Sequence, residues 1–297
     1  MVDFGADHPF AEAAKKVKEH YRIEVPTSAI QSCTEQHAQA IFEGPLFYDK
    51  PQEMVKTIIA ETDGSMLPIV KTNTAKGDRR KDKELFWKEA RLSMAHAKGS
   101  TSLCFAGTIG SANVAGQQLA ACVKQAGGRK KSKVHCVGDG AAWIAEQVEN
   151  QFGEKGSYLI DFYHLCEYLS EAAAVCAPRN KQAWRDQQKE RMKTGKWHEV
   201  LQALLPHLEP EDWTLAPVRA CYRYINNRKK QFDYPSAIKN DLPIGSGEIE
   251  SSHRYILQKR LKLAGAWWTI DNAAHMIALR ICRANNDWQQ YWLKQAA

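Results

Sequence analysis

Residues 133–152, KVHCVGDGAAWIAEQVENQF, decide the fold class. The first six form an apolar run ending at a glycine. Asp139 and Gly140 follow, and the remainder carries apolar residues at helical spacing. A buried strand that feeds straight into a helix is the repeating unit of parallel α/β sheets. A carboxylate at the C-terminal end of such a strand sits where α/β proteins usually build their sites.

Working outward, the next strand candidate downstream is GSYLIDFYH (156–164), running directly into the helical LCEYLSEAAAVCA (165–177). Upstream, VKTIIAETDG (55–64) is apolar and β-branched, and LPIVKT (67–72) resumes beyond an expected turn at Asp63-Gly64. ELFWKEARLSMAHA (84–97) and SLCFAGTIG (102–110) complete a three-strand meander, with the charged KGDRRKDKE (76–84) as an exposed hairpin tip. A helix, SANVAGQQLAACVKQA (111–126), then leads back to the opening stretch. The order is three strands, helix, strand, helix, strand, helix. That succession predicts an α/β fold with a ribonuclease-H-like mixed sheet and flanking helices.

The flanks read as helix. Residues 8–20 and 27–42 form an N-terminal helical pair, with Thr27 as the expected N-cap of the second helix. The pair reads as a helix-turn-helix or as a plain packing hairpin; its second helix carries no Lys or Arg and has Glu35 near its middle. From 178 to 241 the sequence is polar, helical and marked by Trp184, Trp197 and Trp213, as expected of an all-helical insertion. The expected division is 1–50 for the N-terminal helices, 51–177 for the first part of the core, 178–241 for the insertion and 242–297 for the second part of the core. The last part opens with LPIGSGEIESS (242–252) at the head of a long final helix.

Composition agrees with a folded protein that has a polyanionic partner. The 297 residues are 44% hydrophobic, and 41 Lys and Arg against 34 Asp and Glu leave a charge of +7. The eight cysteines include no C-x-x-C pair, so buried reduced thiols are expected. The start lacks the plan of a signal peptide, and no apolar run approaches the roughly 20 residues that cross a bilayer. A cytoplasmic protein, nucleoid-associated in a bacterial cytosol and without membrane partners, is expected.

Three acids stand out. Asp63 ends an apolar run, although Asp-Gly is also a common turn pair. Asp139 is followed by a helix rather than a hairpin. Glu250 lies in the first turn of a helix behind mobile glycines, where an acid also suits the helix dipole. Glu248 competes with it, and at i, i+2 the two cannot face the same way. Phosphodiester cleavage and strand transfer use two hard cations about 4 Å apart, flanked by carboxylates. Asp161 and His164 at the end of the last strand read as supporting residues. His253 and Arg254 follow Glu250 at i+3 and i+4 and are expected to share its face. Lys259, Arg260 and Lys262 read either as a DNA-binding run or as a solvated face. Trp267 and Trp268 read as a stacking pair for an unpaired base or, for at least one of them, as core. A haloacid-type phosphatase is set aside, because Glu61 stands where its first nucleophilic aspartate is required.

The stretches ETDGS (61–65), VGDGAAWI (137–144), LIDFYHLCEYL (159–169), PIGSGEIESSHR (243–254) and LQKRLKLAGAWW (257–268) resemble the insertion-sequence transposases of the ISKra type. That family belongs to the DDE superfamily and is distantly similar to Mutator-like transposases. The resemblance spans residues 1–290 and implies a ribonuclease-H-like fold with Asp63, Asp139 and Glu250 as its acidic triad. Glu250 is preferred over Glu248 because the family's last motif runs roughly G-S-G-x-x-E. It also implies two Mg2+ (or Mn2+) ions, transposon-end and target DNA as partners, and a homodimer in the active complex. A stand-alone DNA nuclease and a catalytically inactive DNA-binding remnant are the alternatives. Family members carry more sequence ahead of the core, so a shortened chain with weak end recognition is expected.

Overall fold

The computed structural model describes residues 1–49, 51–72 and 83–296, in two units: Met1–Ser132 with Gly247–Ala297, and Lys133–Ser246. The architecture is mixed α/β. The first unit contributes three antiparallel strands and the second two parallel strands. The expected hairpin tip at 76–84 falls almost wholly outside the described residues. Among the described residues, no helix is long and apolar enough to cross a membrane.

The first unit opens with α1 (Val2–Asp7), α2 (Phe10–Tyr21) and α3 (Thr27–Phe42), one short helix more than the expected pair. Pro26, not Thr27, occupies the N-cap, so α3 begins without a side-chain cap. Helix α3 is no free arm. Ile30 packs with Ala13 and Val17 of α2. Glu35 accepts from Asn272 at 3.0 Å.

β1 (Thr57–Thr72), β2 (Lys83–Ala97) and β3 (Cys104–Thr108) form the expected meander. The turn expected at Asp63-Gly64 is absent. β1 runs unbroken through both residues, pairing Asp63 with Leu92 and Gly64 with Arg91. Gly64 serves clearance instead: a Cβ there would lie 2.1 Å from Glu89 Oε1, in the space where Glu89 pairs with Arg91.

Helix α4 (Ala112–Gln125) covers one face of the meander, where the Thr62 and Ser93 hydroxyls bond at 2.9 Å and Cys122 reaches the Ser93 carbonyl. The other face is the core: Leu67, Ile69, Leu92 and Met94 pack against Ile249, Ile256, Leu261, Met276 and Ile277. Each such side chain, fully buried, stabilises the fold by roughly 1.5–3 kcal/mol.

In the second unit, β4 (Lys133–Gly138) pairs in parallel with β5 (Gly156–Ile160), and α5 (Ala142–Phe152) connects them. β4 is buried from Val134 to Gly138, as a parallel strand covered on both sides should be. Helices α6 (Phe162–Cys176), α7 (Lys181–Lys193), α8 (Trp197–Leu204), α9 (Pro217–Asn226) and α10 (Tyr234–Lys239) share one apolar core that includes Leu165, Leu169, Val200, Leu204, Ile225 and Tyr234. The first unit then closes with α11 (Gly247–Ser252), a π-helical turn at His253–Gln258, α12 (Lys259–Leu261), α13 (Ile270–Ala284) and α14 (Trp288–Ala296).

Candidate functional site

Strand alternation places Glu61, Asp63 and Ser65 on one face of β1. Antiparallel pairing adds His96 to that face, opposite Ile59. The helical run 247–262 lies lengthwise over it. Buried Glu61 accepts the Ile249 N–H at 2.9 Å, satisfying one of the orphan donors of the first turn of α11. Glu248 Oε2 stands 3.0 Å from His96 Nε2, out of line for a hydrogen bond. Asp63 Oδ2 stands 3.6 Å from His253 Nε2. Lys262 Nζ donates to Ser65 Oγ at 2.8 Å. One strand face and one helical segment thus bring together three carboxylates, two imidazoles and an ammonium group.

The π turn explains why His253 points inward. Its wider ladder shifts the usual hydrogen bonds and frees backbone carbonyls that need other donors. Buried Arg280 supplies them, donating to the Ile256 carbonyl at 2.5 Å and to the Tyr255 carbonyl. The same guanidinium bonds the Ala6 carbonyl and Asp7, tying the end of α1 to the turn. Burial pushes the His253 imidazole down to about 4, against a weaker upward pull from the Asp63 backbone carbonyl, so it is neutral at pH 7. Neither of its ring nitrogens makes a well-aligned hydrogen bond.

In the second unit, Asp139 caps the end of β4. One carboxylate oxygen accepts the Ala141 N–H at 2.8 Å. The loop is clamped by Tyr224, which donates to the Asp139 carbonyl at 2.6 Å, and by Arg228, which donates to the Gly140 carbonyl at 2.8 Å. Tyr158 accepts the Gly140 N–H at 3.0 Å. Gly140 is required twice over: its φ is +90°, and a Cβ would lie 2.8 Å from the Tyr224 hydroxyl. Asp161 is buried and saturated. It caps α6 through the Tyr163 and His164 N–H groups and holds Ser246 through both its N–H and its hydroxyl. His164 is half-buried, edge-on to Tyr168 and Tyr224.

Residues 117–285, more than half of the chain, match a family profile. The chain belongs to the uncharacterised protein family UPF0236. No curated protein matches it. The UPF0236 match covers Asp139, Asp161, His164, Glu248, Glu250 and the helical run that follows, whereas Glu61, Asp63 and His96 precede it.

Several expected positions in this UPF0236 chain turn out otherwise. His253 does not share the exposed side of Glu250: His253 is buried, whereas Glu250 and Arg254 are both exposed. The expectation assumed an unbroken α-helical period, which the π turn interrupts. Of the basic run, Lys259 and Lys262 are exposed, but Arg260 is buried between the rings of Phe10 and Trp268 and donates to the Gly5 carbonyl. It is a buried structural residue. Trp268 is core, and Trp267 is exposed. His96, Tyr224, Arg228 and Arg280 were not singled out in the sequence, and Glu61 entered it only as the residue that sets a phosphatase aside. Glu61 alone left a signal there, two residues from Asp63 in a β-type run.

Proposed function

We propose that this chain is a DNA transposase with a ribonuclease-H-like core, cutting and joining DNA at insertion-sequence ends through Asp63, Asp139 and Glu250. The observation that carries the reading is that the helix bearing Glu248 and Glu250 begins on the strand face that displays Asp63, tied there by Glu61. Asp139 adds support from its own loop, where three side chains fix the backbone around the carboxylate.

The donors suit magnesium or manganese. Asp63 and Asp139 are half-buried carboxylates, each oriented by one backbone N–H: Gly64 at 2.7 Å and Ala141 at 2.8 Å. Hard cations take such oxygens and keep several waters, so few protein ligands are needed. Among the described residues, no three His, Cys, Asp or Glu side chains stand grouped to hold a metal. Asp63, Asp139 and Glu250 would hold two Mg2+ (or Mn2+), which when bound activate the attacking water or 3′-hydroxyl and stabilise the leaving oxygen. The chain's own groups orient and neutralise. Glu61 sets the start of α11, Asp161 fixes Ser246 just ahead of it, and neutral His253 packs beside Asp63 without competing as a cation. Exposed Arg254, Lys259 and Lys262 would meet phosphates. We expect a homodimer in the active complex with transposon-end and target DNA.

The test is incubation of the full chain with Mg2+ and duplexes carrying the sequences that flank its gene, scored for nicking and for joining of the 3′ end to plasmid DNA. Cleavage and joining that vanish in Asp63→Ala and Asp139→Ala are expected, with Glu250→Ala compared against Glu248→Ala to assign the third acid. Cleavage without joining would make the protein a stand-alone nuclease. Binding without cleavage would make it an inactive remnant.

A further inference from the structure

Beyond Gly64, much of the face of β1 and β2 opposite the core is left uncovered by the described residues. Alternation places Met66, Pro68 and the buried Val70 of β1 on it, with Trp87 opposite Pro68 and Leu85 opposite Val70. Nearer the start of β1, α4 covers this face around Thr62 and Ser93. Farther out, Met66 is 46% exposed, Leu85 48% and Trp87 58%.

A second tryptophan joins from the other edge of β1. Ile69 bridges Trp268, and the Val70 N–H donates to the Trp268 carbonyl. Trp268 turns into the core, so its neighbour Trp267 turns the opposite way. There it is 49% exposed with Lys83 Nζ 3.8 Å from its ring centroid. Lys83 pairs with Thr72 and so belongs to this face. The result is a ribbon surface with an exposed indole on either side of β1 and an ammonium group beside one of them. On this face Arg91 is paired with Glu89, and Lys83 is the ammonium group beside the indoles.

We propose that this face binds an unpaired DNA strand, its bases stacking on Trp87 and Trp267 and its phosphates meeting Lys83. Aromatic platforms interleaved with cations are the sequence-tolerant way to hold single strands, whereas a protein partner would favour an apolar face cleared of ammonium groups. The inference rests on the transposase reading. Pro68 and the indole opposite it lie about 16 Å along β1 from Asp63, on the other face of the sheet.

The experiment is fluorescence anisotropy of a fluorescein-labelled oligothymidylate of about 20 nucleotides with the full chain, in EDTA so that no cleavage intervenes. Trp87→Ala and Trp267→Ala are expected to weaken binding about tenfold each, and Trp87→Phe to keep most of it. Lys83→Gln is expected to lower the slope of log K against log salt by about 0.7. Circular dichroism melts establish that each variant is folded. Unchanged affinity in both alanine variants overturns the proposal. So does a concentration-dependent self-association, seen by sedimentation, that Trp87→Ala abolishes without altering oligonucleotide binding, because the face is then a contact between copies. Tryptophan-dependent strand binding in a protein that neither cuts nor joins DNA would sink the transposase reading and leave this surface standing.

Discussion

The Glu61 carboxylate accepts the backbone N–H of Ile249 at 2.9 Å, both buried. This one bond ties the middle of β1 to the first turn of the helix that carries Glu248 and Glu250. Replacing Glu61 with Ala leaves a buried donor unmade and is expected to cost about 1–3 kcal/mol in urea unfolding. Glu61→Gln, whose amide oxygen can still accept, should recover most of that loss. Equal losses in both variants would show that the bond does not set the helix.

Acid should destabilise the chain in a defined window. His253 is held at about 4, mainly by burial, from an ordinary 6.5. Between those values the unfolded chain takes up a proton that the folded chain refuses. Stability present at pH 7 is therefore lost as pH falls from 6.5 toward 4, by up to about 3 kcal/mol. Burial lowers His135 too, with the same sign. Urea midpoints at pH 7 and pH 5 measure the fall, and His253→Gln should make it shallower. A slope unchanged in that variant would place the acid sensitivity elsewhere.

Asp161 should act as a brace. Its carboxylate takes N–H groups from Tyr163 and His164 on one oxygen and both donors of Ser246 on the other. Asp161→Asn turns one acceptor into a donor facing donors, so a loss of roughly 2 kcal/mol is expected in thermal melts. A stable Asp161→Asn variant that has lost DNA cleavage alone would instead give Asp161 a direct part in the chemistry.

Gly140→Ala should distort the Asp139 loop, for reasons of both angle and space. A positive φ of +90° costs an alanine about 1–3 kcal/mol, and its methyl group would press on the Tyr224 hydroxyl. Tyr224→Phe, which removes that hydroxyl and its bond to the Asp139 carbonyl, should cost about 1 kcal/mol. The double variant should be less damaged than the two losses added, because the clash disappears with the hydroxyl.

Two neighbours in the basic run should behave oppositely. Arg260→Ala removes a buried guanidinium stacked on Phe10 and Trp268 and is expected to cost about 2–4 kcal/mol in stability. Lys259→Ala, at the surface, should leave stability within about 0.5 kcal/mol and weaken DNA binding instead. Melting temperatures and anisotropy on the same two proteins distinguish the roles.

Sequence by itself determined the elements whose signal is local. The strand-to-helix step at Asp139, the meander, the helical stretch at 178–241 and the acid-bearing turn at 248–250 all follow from period and punctuation, which depend on near neighbours alone. The tertiary structure decided which polar groups lose water and what replaces it. β1 runs on through Gly64 because β2 pairs with it on both sides of that residue, and the glycine leaves room for Glu89. His253 turns inward on a π turn whose carbonyls are satisfied by Arg280, from a helix later in the chain. Arg260 is buried by Phe10, near the opposite end of the sequence. Burial and hydrogen-bond satisfaction depend on partners far along the chain, and no local pattern records them.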